Sequence, residues 1–178
     1  MRYRNVTQQA MVMQARRVDI TVLPVDAIVN AANEQLAPGG GVCGAIHRAA
    51  GPELAQACAE VGFCPTGQAR ITPGFRLPAR YVIHAVGPVW HGGQRGEAEL
   101  LASAYRSALE LADAQGLTTI AFPAISTGIY GFPLRSATEI AVGTTREFLG
   151  RALSLREVTF ACFSGEALLE YQRAGISA

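Results

Sequence analysis

The segment VDAIVNAAN, residues 25–33, and the segment GGGVCGAIH, residues 39–47, decide how this chain folds. The first begins with a continuous apolar run, which predicts a strand buried on both faces, and it ends among asparagines, whose amides both donate and accept. The second is a glycine cluster that begins a helix. Glycines let backbone N–H groups approach an anion, and a helix N-terminus adds a positive partial charge. Together the two segments favour a ligand that carries ribose hydroxyls and phosphates.

Strands and helices alternate along most of the chain. The predicted strands are one that ends near Asp19 and then residues 25–29, 68–72, 81–86, 118–122 and 157–163. The predicted helices are residues 44–60, with an interruption at 51–52, and then residues 97–115, 133–149 and 166–173. This alternation predicts an α/β domain with a largely parallel sheet covered on both faces. Ligands of such sheets bind beyond the carboxyl ends of the strands, so we expect the loops 30–44 and 123–131 on one rim.

The composition and net charge limit the kinds of protein that this chain can be. The 178 residues are 49% hydrophobic and carry a net charge of +1, which predicts a single domain over residues 1–178, with 1–10 as a candidate loose N-terminal extension. So small a charge gives no general attraction for nucleic acid. No secretory signal or membrane-spanning run is visible, and the cysteines form no C-x-x-C pair, so we expect a cytoplasmic protein with free thiols. A zinc site of Cys43, His47, Cys58 and Cys64 fits no common ligand spacing, and no metal is expected.

Several polar residues are candidates for chemistry. The pattern of Gly39, Gly41 and Gly44 matches G-x-G-x-x-G but follows its strand too late for a dinucleotide-binding turn, so we reject a dehydrogenase. The segment STGIYG, residues 126–131, is a second candidate phosphate loop, with hydroxyls, glycines and a flat tyrosine wall. His84 lies in an apolar run and is expected to be a core histidine. Cys43 precedes His47 by one helical turn, and such a pair could lower the pKa of the thiol.

These segments together resemble the macro domain family, and within it the MacroD-type ADP-ribosyl hydrolases. The likeness covers about residues 18–171. It is carried by DIT (19–21), VNAAN (29–33), GGGV (39–42), GAIHRAAGP (44–52), CPTG (64–67), HAVGP (84–88) and FPAISTGIYG (122–131). The resemblance implies a three-layer α/β/α sandwich with a mixed, largely parallel central sheet and an ADP-ribose cleft at its rim.

The resemblance also implies roles for individual residues. Asp19 would accept from the adenine amino group beside the Ile20 backbone, Phe163 would pack on the adenine, and Asn33 would hold the distal ribose. The two glycine-containing loops would grip the pyrophosphate. The implied ligand-binding residues are Asp19, Ile20, Asn30, Asn33, Gly39, Gly40, Gly41, Val42, Gly44, Ser126, Thr127, Gly128, Ile129, Tyr130 and Phe163. For Asn30, the first interpretation is a structural one, in which its side chain caps the loop.

Cys43 stands where MacroD-type enzymes have an aspartate that orients the attacking water, and Val18 replaces the family's upstream glycine. Losing a positioned carboxylate base costs on the order of 10²–10⁴ in rate. The first hypothesis is therefore a weakened hydrolase, free of metal and cofactor, that acts on ADP-ribosyl esters of acidic protein side chains or on O-acetyl-ADP-ribose. Its candidate catalytic residues are Asn33, Cys43 and His47. The second hypothesis is a non-catalytic reader of ADP-ribosylated proteins, and the third is a thiol-dependent enzyme that uses Cys43 with His47.

Overall fold

The structure is a computed structural model that describes residues 10–178. The expected N-terminal extension therefore lies, except for its last residue, outside the described residues. Its strands are β1 Val12–Arg17, β2 Ala27–Ala31, β3 Ala69–Pro73, β4 Tyr81–Ala85, β5 Thr119–Phe122 and β6 Glu157–Cys162. Its α-helices are α1 Gly41–Ala50, α2 Glu53–Val61, α3 Glu97–Ala114, α4 Leu134–Leu149 and α5 Gly165–Arg173.

The six strands form one sheet in the order β1-β6-β5-β2-β4-β3. All neighbouring pairs are parallel except β3 and β4, which are antiparallel. The predicted mixed, largely parallel sheet is confirmed. Because β1, β6, β5, β2 and β4 run the same way, their carboxyl ends meet at one edge, which we call the carboxyl rim.

Helices cover both faces of this sheet, and β2 shows why. Its side chains alternate between the faces, as they do in any strand. Ala27 and Val29 belong to a core packed against α3, α4 and α5, whereas Ile28 belongs to a second core packed against α1 and α2. All three side chains are fully buried. The continuous apolar run thus places β2 at the centre of a three-layer α/β/α sandwich, as the sequence predicted.

Two element boundaries differ from the sequence-based expectation. β1 ends at Arg17 rather than near Asp19, because the Asp19 carboxylate accepts the Thr21 N–H at 2.9 Å and caps a short 3₁₀ turn over Ile20–Val22. The expected helix 44–60 is two helices. Gly51 ends α1 with a φ of 87°, a left-handed conformation that glycine adopts without strain.

Within residues 10–178, no helix is long and apolar enough to span a bilayer.

Candidate functional site

The carboxyl rim brings together segments that are far apart in sequence. The order of the strands in the sheet fixes the order of these segments along the rim, since each segment comes after one of the parallel strands. In that order they are Asp19 after β1, Phe163 after β6, residues 126–130 after β5, residues 33–40 after β2, and residues 86–90 after β4. The expectation that the two candidate phosphate loops share a rim is confirmed.

Asn33 shapes the loop after β2, which we call the glycine loop (residues 33–41). Its side-chain oxygen accepts the Ala37 N–H at 3.0 Å, and its amide nitrogen donates to the Ala37 carbonyl at 3.0 Å. One N–H of the Asn33 amide remains for a ligand. Asn33 is thus a clamp of the loop as well as a candidate ribose ligand.

The glycine loop packs directly against the first turn of α1. A Cβ on Gly44 would lie 2.5 Å from the Gly39 carbonyl oxygen, so only glycine permits this approach. Gly40 caps the helix without a side-chain hydrogen bond. Within residues 10–178, the N–H groups of Gly41, Val42 and Cys43 donate to no acceptor. These unpaired N–H groups at a ten-residue helix form a site that suits an anion.

The loop after β5, residues 126–131, offers backbone rather than hydroxyl groups, which corrects the sequence-based expectation. Ser126 is only 6% exposed, with its Oγ buried, and the Thr127 hydroxyl donates to the Ala124 carbonyl at 2.8 Å. The N–H groups of Gly128, Ile129 and Tyr130 have no acceptor in the described part of the chain. We call this segment the second loop.

The two loops meet. A Cβ on Gly40 would lie 4.0 Å from the Ile129 Cδ1 atom, and the Ile129 side chain is 92% exposed. Gly87, just beyond β4, packs closely against the second loop, since a Cβ there would overlap the Ser126 Oγ atom. The two sets of unpaired N–H groups therefore lie on neighbouring loops at a shared part of the rim.

Asp19 and Phe163 lie together at the other end of this rim. The Asp19 Oδ1 atom accepts from the Thr21 N–H and hydroxyl at 2.9 and 2.7 Å, while Oδ2 has no partner within residues 10–178. Phe163 is 98% exposed and follows β6, to which the Val18 N–H is hydrogen-bonded at 3.3 Å. An exposed carboxylate oxygen and an exposed aromatic face are suited to a purine with an amino group. The Ile20 side chain is buried in the core that packs against α1 and α2.

A buried polar cluster lies beneath the glycine loop. The Asn30 amide nitrogen is 3.1 Å from His84 Nδ1 and 3.7 Å from Cys43 Sγ, and His84 Nε2 is 2.9 Å from the Thr72 hydroxyl. Burial and nearby His47 lower the pKa of His84 to about 4, so it is neutral at pH 7. His84 is therefore the expected core histidine. Asn30 is 1% exposed, so its expected role as a ligand residue is not supported: it ties β2 to β4 instead.

The expected pair of Cys43 with His47 is not formed. The hydrogen-bond partners of Cys43 Sγ are the Asn30 amide and, at 3.8 Å, the Ala37 carbonyl. Both ring nitrogens of His47 are buried without a partner, and burial lowers its pKa, which disfavours the imidazolium that would stabilise a thiolate. Helical spacing placed the residues one turn apart, but Cys43 is directed toward the loop and β2 rather than along the helix.

The four cysteines are free and buried. Burial, with a smaller contribution from Cys43, raises the pKa of the Cys58 thiol to about 11. Among residues 10–178, no cluster of three or more histidine, cysteine, aspartate or glutamate side chains is arranged to hold a metal ion.

Sequence reasoning missed the loop between β4 and α3. The Glu97 carboxylate accepts the N–H groups of His91 (2.9 Å), Gly93 (2.8 Å) and Arg95. These bonds, the one from His91 foremost, lower the pKa of Glu97 to about 2. The Trp90 N–H donates to the Tyr130 carbonyl at 2.8 Å, which joins this loop to the second loop. An acidic residue at the first position of a helix, after a glycine-rich loop, was the available signal.

Comparison with known proteins agrees with this geometry. The macro domain family model matches residues 29–141. A macro domain-containing protein of Chlorobaculum tepidum is 60% identical over 91% of this chain and 94% of its own length, and the O-acetyl-ADP-ribose deacetylase of Citrobacter rodentium is 57% identical over 87% and 90%. The Trypanosoma brucei macrodomain in complex with ADP-ribose superposes with a TM-score of 0.87 at 43% identity, covering 96% of this chain and 75% of that one. On its sequence, its sheet order and the paired loops of its rim, this chain belongs to the macro domain family.

Proposed function

We propose that this chain binds ADP-ribose along the carboxyl rim and hydrolyses ADP-ribosyl esters. The observation that carries the proposal is the approach of the two loops, where the Gly40 Cβ position lies 4.0 Å from Ile129 Cδ1. A diphosphate between them would receive backbone N–H groups from both sides. Its adenine would then reach Asp19 and Phe163, and its distal ribose would lie beside Asn33 and Cys43.

The relatives support both the proposed binding of ADP-ribose and the proposed hydrolysis. A macrodomain with ADP-ribose bound has the same fold, and relatives at 57% identity are named O-acetyl-ADP-ribose deacetylases. We therefore assign O-acetyl-ADP-ribose and proteins mono-ADP-ribosylated on acidic side chains as the substrates. Both carry an ester at the distal ribose, the part of the ligand nearest Cys43 in this arrangement. We assign the protein to the cytoplasm, where such substrates would be met by a chain with free thiols.

The proposed reaction is a hydrolysis with water as the nucleophile. Water attacks the anomeric carbon of a protein-linked ADP-ribose, the bond to the carboxylate oxygen breaks, and free ADP-ribose and the acidic side chain are the products. The loops fix the diphosphate, the free N–H of Asn33 orients the ribose, and the diphosphate itself can hold the attacking water. Because water is the only co-substrate, the reaction needs neither a metal nor an organic cofactor.

Cys43 limits the rate in this proposal. A thiol is a weak hydrogen-bonding group and is mostly protonated at neutral pH, so it positions water less well than a carboxylate would. The same residue favours the alternative function, a reader that binds ADP-ribosylated proteins without turnover. The buried, unpaired ring of His47 gives no support to thiol catalysis.

Two measurements test the proposal. Titration calorimetry with ADP-ribose should show saturable binding, and absence of heat at millimolar ligand would remove both the hydrolase and the reader. Incubation with O-acetyl-ADP-ribose and with a glutamate-linked mono-ADP-ribosylated protein then distinguishes a hydrolase from a reader. Release of acetate or ADP-ribose above the uncatalysed rate supports the hydrolase, whereas binding without release supports the reader.

A further inference from the structure

A shallow hollow lies on the rim beyond the carboxyl end of β4. Its lining includes Thr66, Pro88, Val89, His91, Arg95 and Leu100. None of these residues contributes to the ADP-ribose site proposed above. The hollow is nevertheless next to that site, because β4 is the neighbour of β2 in the sheet.

Two hydrogen bonds join the hollow to the cleft. The Thr66 N–H donates to the Glu34 carboxylate at 3.3 Å, and Glu34 directly follows Asn33. On the other side, the Trp90 N–H donates to the Tyr130 carbonyl of the second loop at 2.8 Å. The hollow therefore adjoins the end of the cleft that holds the distal ribose in our proposal. A polypeptide attached to that ribose would therefore have this part of the surface within reach.

The wall of the hollow is held in place by packing and hydrogen bonds. The Trp90 ring packs on Phe132 with centroids 4.7 Å apart. Gly93, with a φ of 88°, lies so close to the indole that a Cβ would be 2.6 Å from it. The Glu97 carboxylate accepts hydrogen bonds from three backbone N–H groups of the loop. A surface preorganised in this way can bind without the cost of ordering a loop.

The lining of the hollow carries one guanidinium, Arg95, and one carboxylate, Glu97, and the Glu34 carboxylate at its margin accepts the Thr66 N–H. Glu97 is 1% exposed, and its oxygens are occupied by backbone N–H groups. Glu99, on the first turn of α3, is paired with Arg106 at 3.7 Å. The Arg95 guanidinium is exposed and makes no ion pair or side-chain hydrogen bond within residues 10–178, and His91 beside it is exposed as well. The hollow thus presents a free guanidinium beside an imidazole.

We infer that this hollow binds the polypeptide that carries the ADP-ribosyl group and favours peptides with carboxylates next to the modified residue. The inference rests on the proposed function, whose substrates are esters of acidic side chains. Arg95 is the one guanidinium among the residues that line the hollow, and the chain has a net charge of +1, which suits one or two carboxylates better than the phosphate chain of a nucleic acid, which needs several cations. The apolar walls, Pro88, Val89 and Leu100, suit the peptide backbone and aliphatic stems between such carboxylates.

The test is a binding assay, so that turnover does not interfere. Two fluorescent peptides carry ADP-ribose through a hydrolysis-resistant linkage, one with acidic flanking residues and the other with glutamine and asparagine in their place. The proteins are the wild type, Arg95→Gln and the control Arg146→Gln, whose arginine is exposed in the last turn of α4 and does not line the hollow. Fluorescence anisotropy gives each dissociation constant, and calorimetry gives that of free ADP-ribose.

We expect the wild type and Arg146→Gln to bind the acidic peptide about two- to fivefold more tightly than the neutral one, as for an exposed ion pair. Arg95→Gln should lose this preference and keep its affinity for free ADP-ribose. Equal behaviour of the two arginine variants would overturn the inference, as would tighter binding of an ADP-ribosylated oligonucleotide than of the acidic peptide. Weaker binding of free ADP-ribose by Arg95→Gln would instead assign Arg95 to the cleft and also overturn it. A wild type that binds no free ADP-ribose removes the proposed function itself, and the inference with it.

Discussion

Gly44→Ala is the sharpest test of the two-loop cleft. The added methyl group would lie 2.5 Å from the Gly39 carbonyl oxygen, and ordinary van der Waals contact begins at 3.4 Å. The glycine loop and the first turn of α1 must therefore separate by about 0.9 Å. The obstacle is backbone, so the loop itself has to shift. Such overpacking costs about 1–3 kcal/mol of folding stability.

The same shift should disrupt ligand binding. A hydrogen bond of about 2.9 Å that lengthens by about 0.9 Å is no longer a hydrogen bond. Losing one bond from a backbone N–H to a phosphate oxygen costs about 1.5–3 kcal/mol, which weakens the affinity for ADP-ribose roughly 10- to 100-fold. Calorimetric titration measures that change, and urea unfolding measures the stability of the same preparation, so that binding is compared between folded proteins.

Two further glycines provide matched controls. Gly143→Ala adds a methyl group inside α4 with no atom within 4 Å, so it should leave binding unchanged and stabilise the helix by about 1 kcal/mol. Gly128→Ala also meets no protein atom, but it adds a methyl group to the second loop, beside the N–H groups assigned to the diphosphate. It should weaken binding while the protein unfolds like the wild type. Wild-type affinity in a folded Gly44→Ala protein would refute the idea that this turn positions the diphosphate.

Three further predictions concern single side chains. Cys43→Asp should raise the rate of ester hydrolysis by on the order of 10²-fold, whereas Cys43→Ala should match the wild type; a Cys43→Ala protein without activity would restore thiol catalysis. Asp19→Ala should lose about 1 kcal/mol of stability with its cap to Thr21 and bind ADP-ribose about tenfold more weakly, measured by thermal unfolding and calorimetry; an unchanged affinity would remove Asp19 from the adenine site. Because its folded pKa of about 2 lies below the ordinary 4.5, Glu97 stabilises the protein above pH 4.5, and this contribution is lost as the pH falls toward 2. Urea unfolding at pH 6 and pH 3 should therefore show a smaller loss for Glu97→Gln than for the wild type, and equal losses would contradict this role.

The fold was predictable because its signals are local and repeated. The apolar run before Asn30 required a strand buried on both faces, and alternating helices supplied the two covering layers. The choice of rim followed from parallel topology alone. Backbone features of the site were equally accessible, since the glycines between Gly39 and Gly44 predicted a loop whose backbone approaches its neighbours closely.

The roles of the side chains were harder to predict, because they depend on partners distant in sequence. Asn30 contacts His84, 54 residues away, because the parallel register of β2 and β4 places them opposite each other. Nothing near Asn30 in the sequence specifies that register, so the sequence alone does not distinguish a buried cross-strand tie from a ligand residue. The Ser126 hydroxyl was misjudged for the same reason, since its burial results from the approach of Gly87.

Binding and turnover are physically separate in this chain. The proposed grip on the diphosphate comes from N–H groups of the glycine loop and the second loop, which no side-chain substitution removes directly. The proposed chemical step depends on one position, Cys43, at the third residue of a helix and beside the Asn30 amide. A helix N-terminus and an amide donor both stabilise an anion, so the surroundings of Cys43 would accept a carboxylate. Exchanging the thiol for a carboxylate should therefore change the rate far more than the affinity, and a large loss of ADP-ribose binding in Cys43→Asp would contradict this separation.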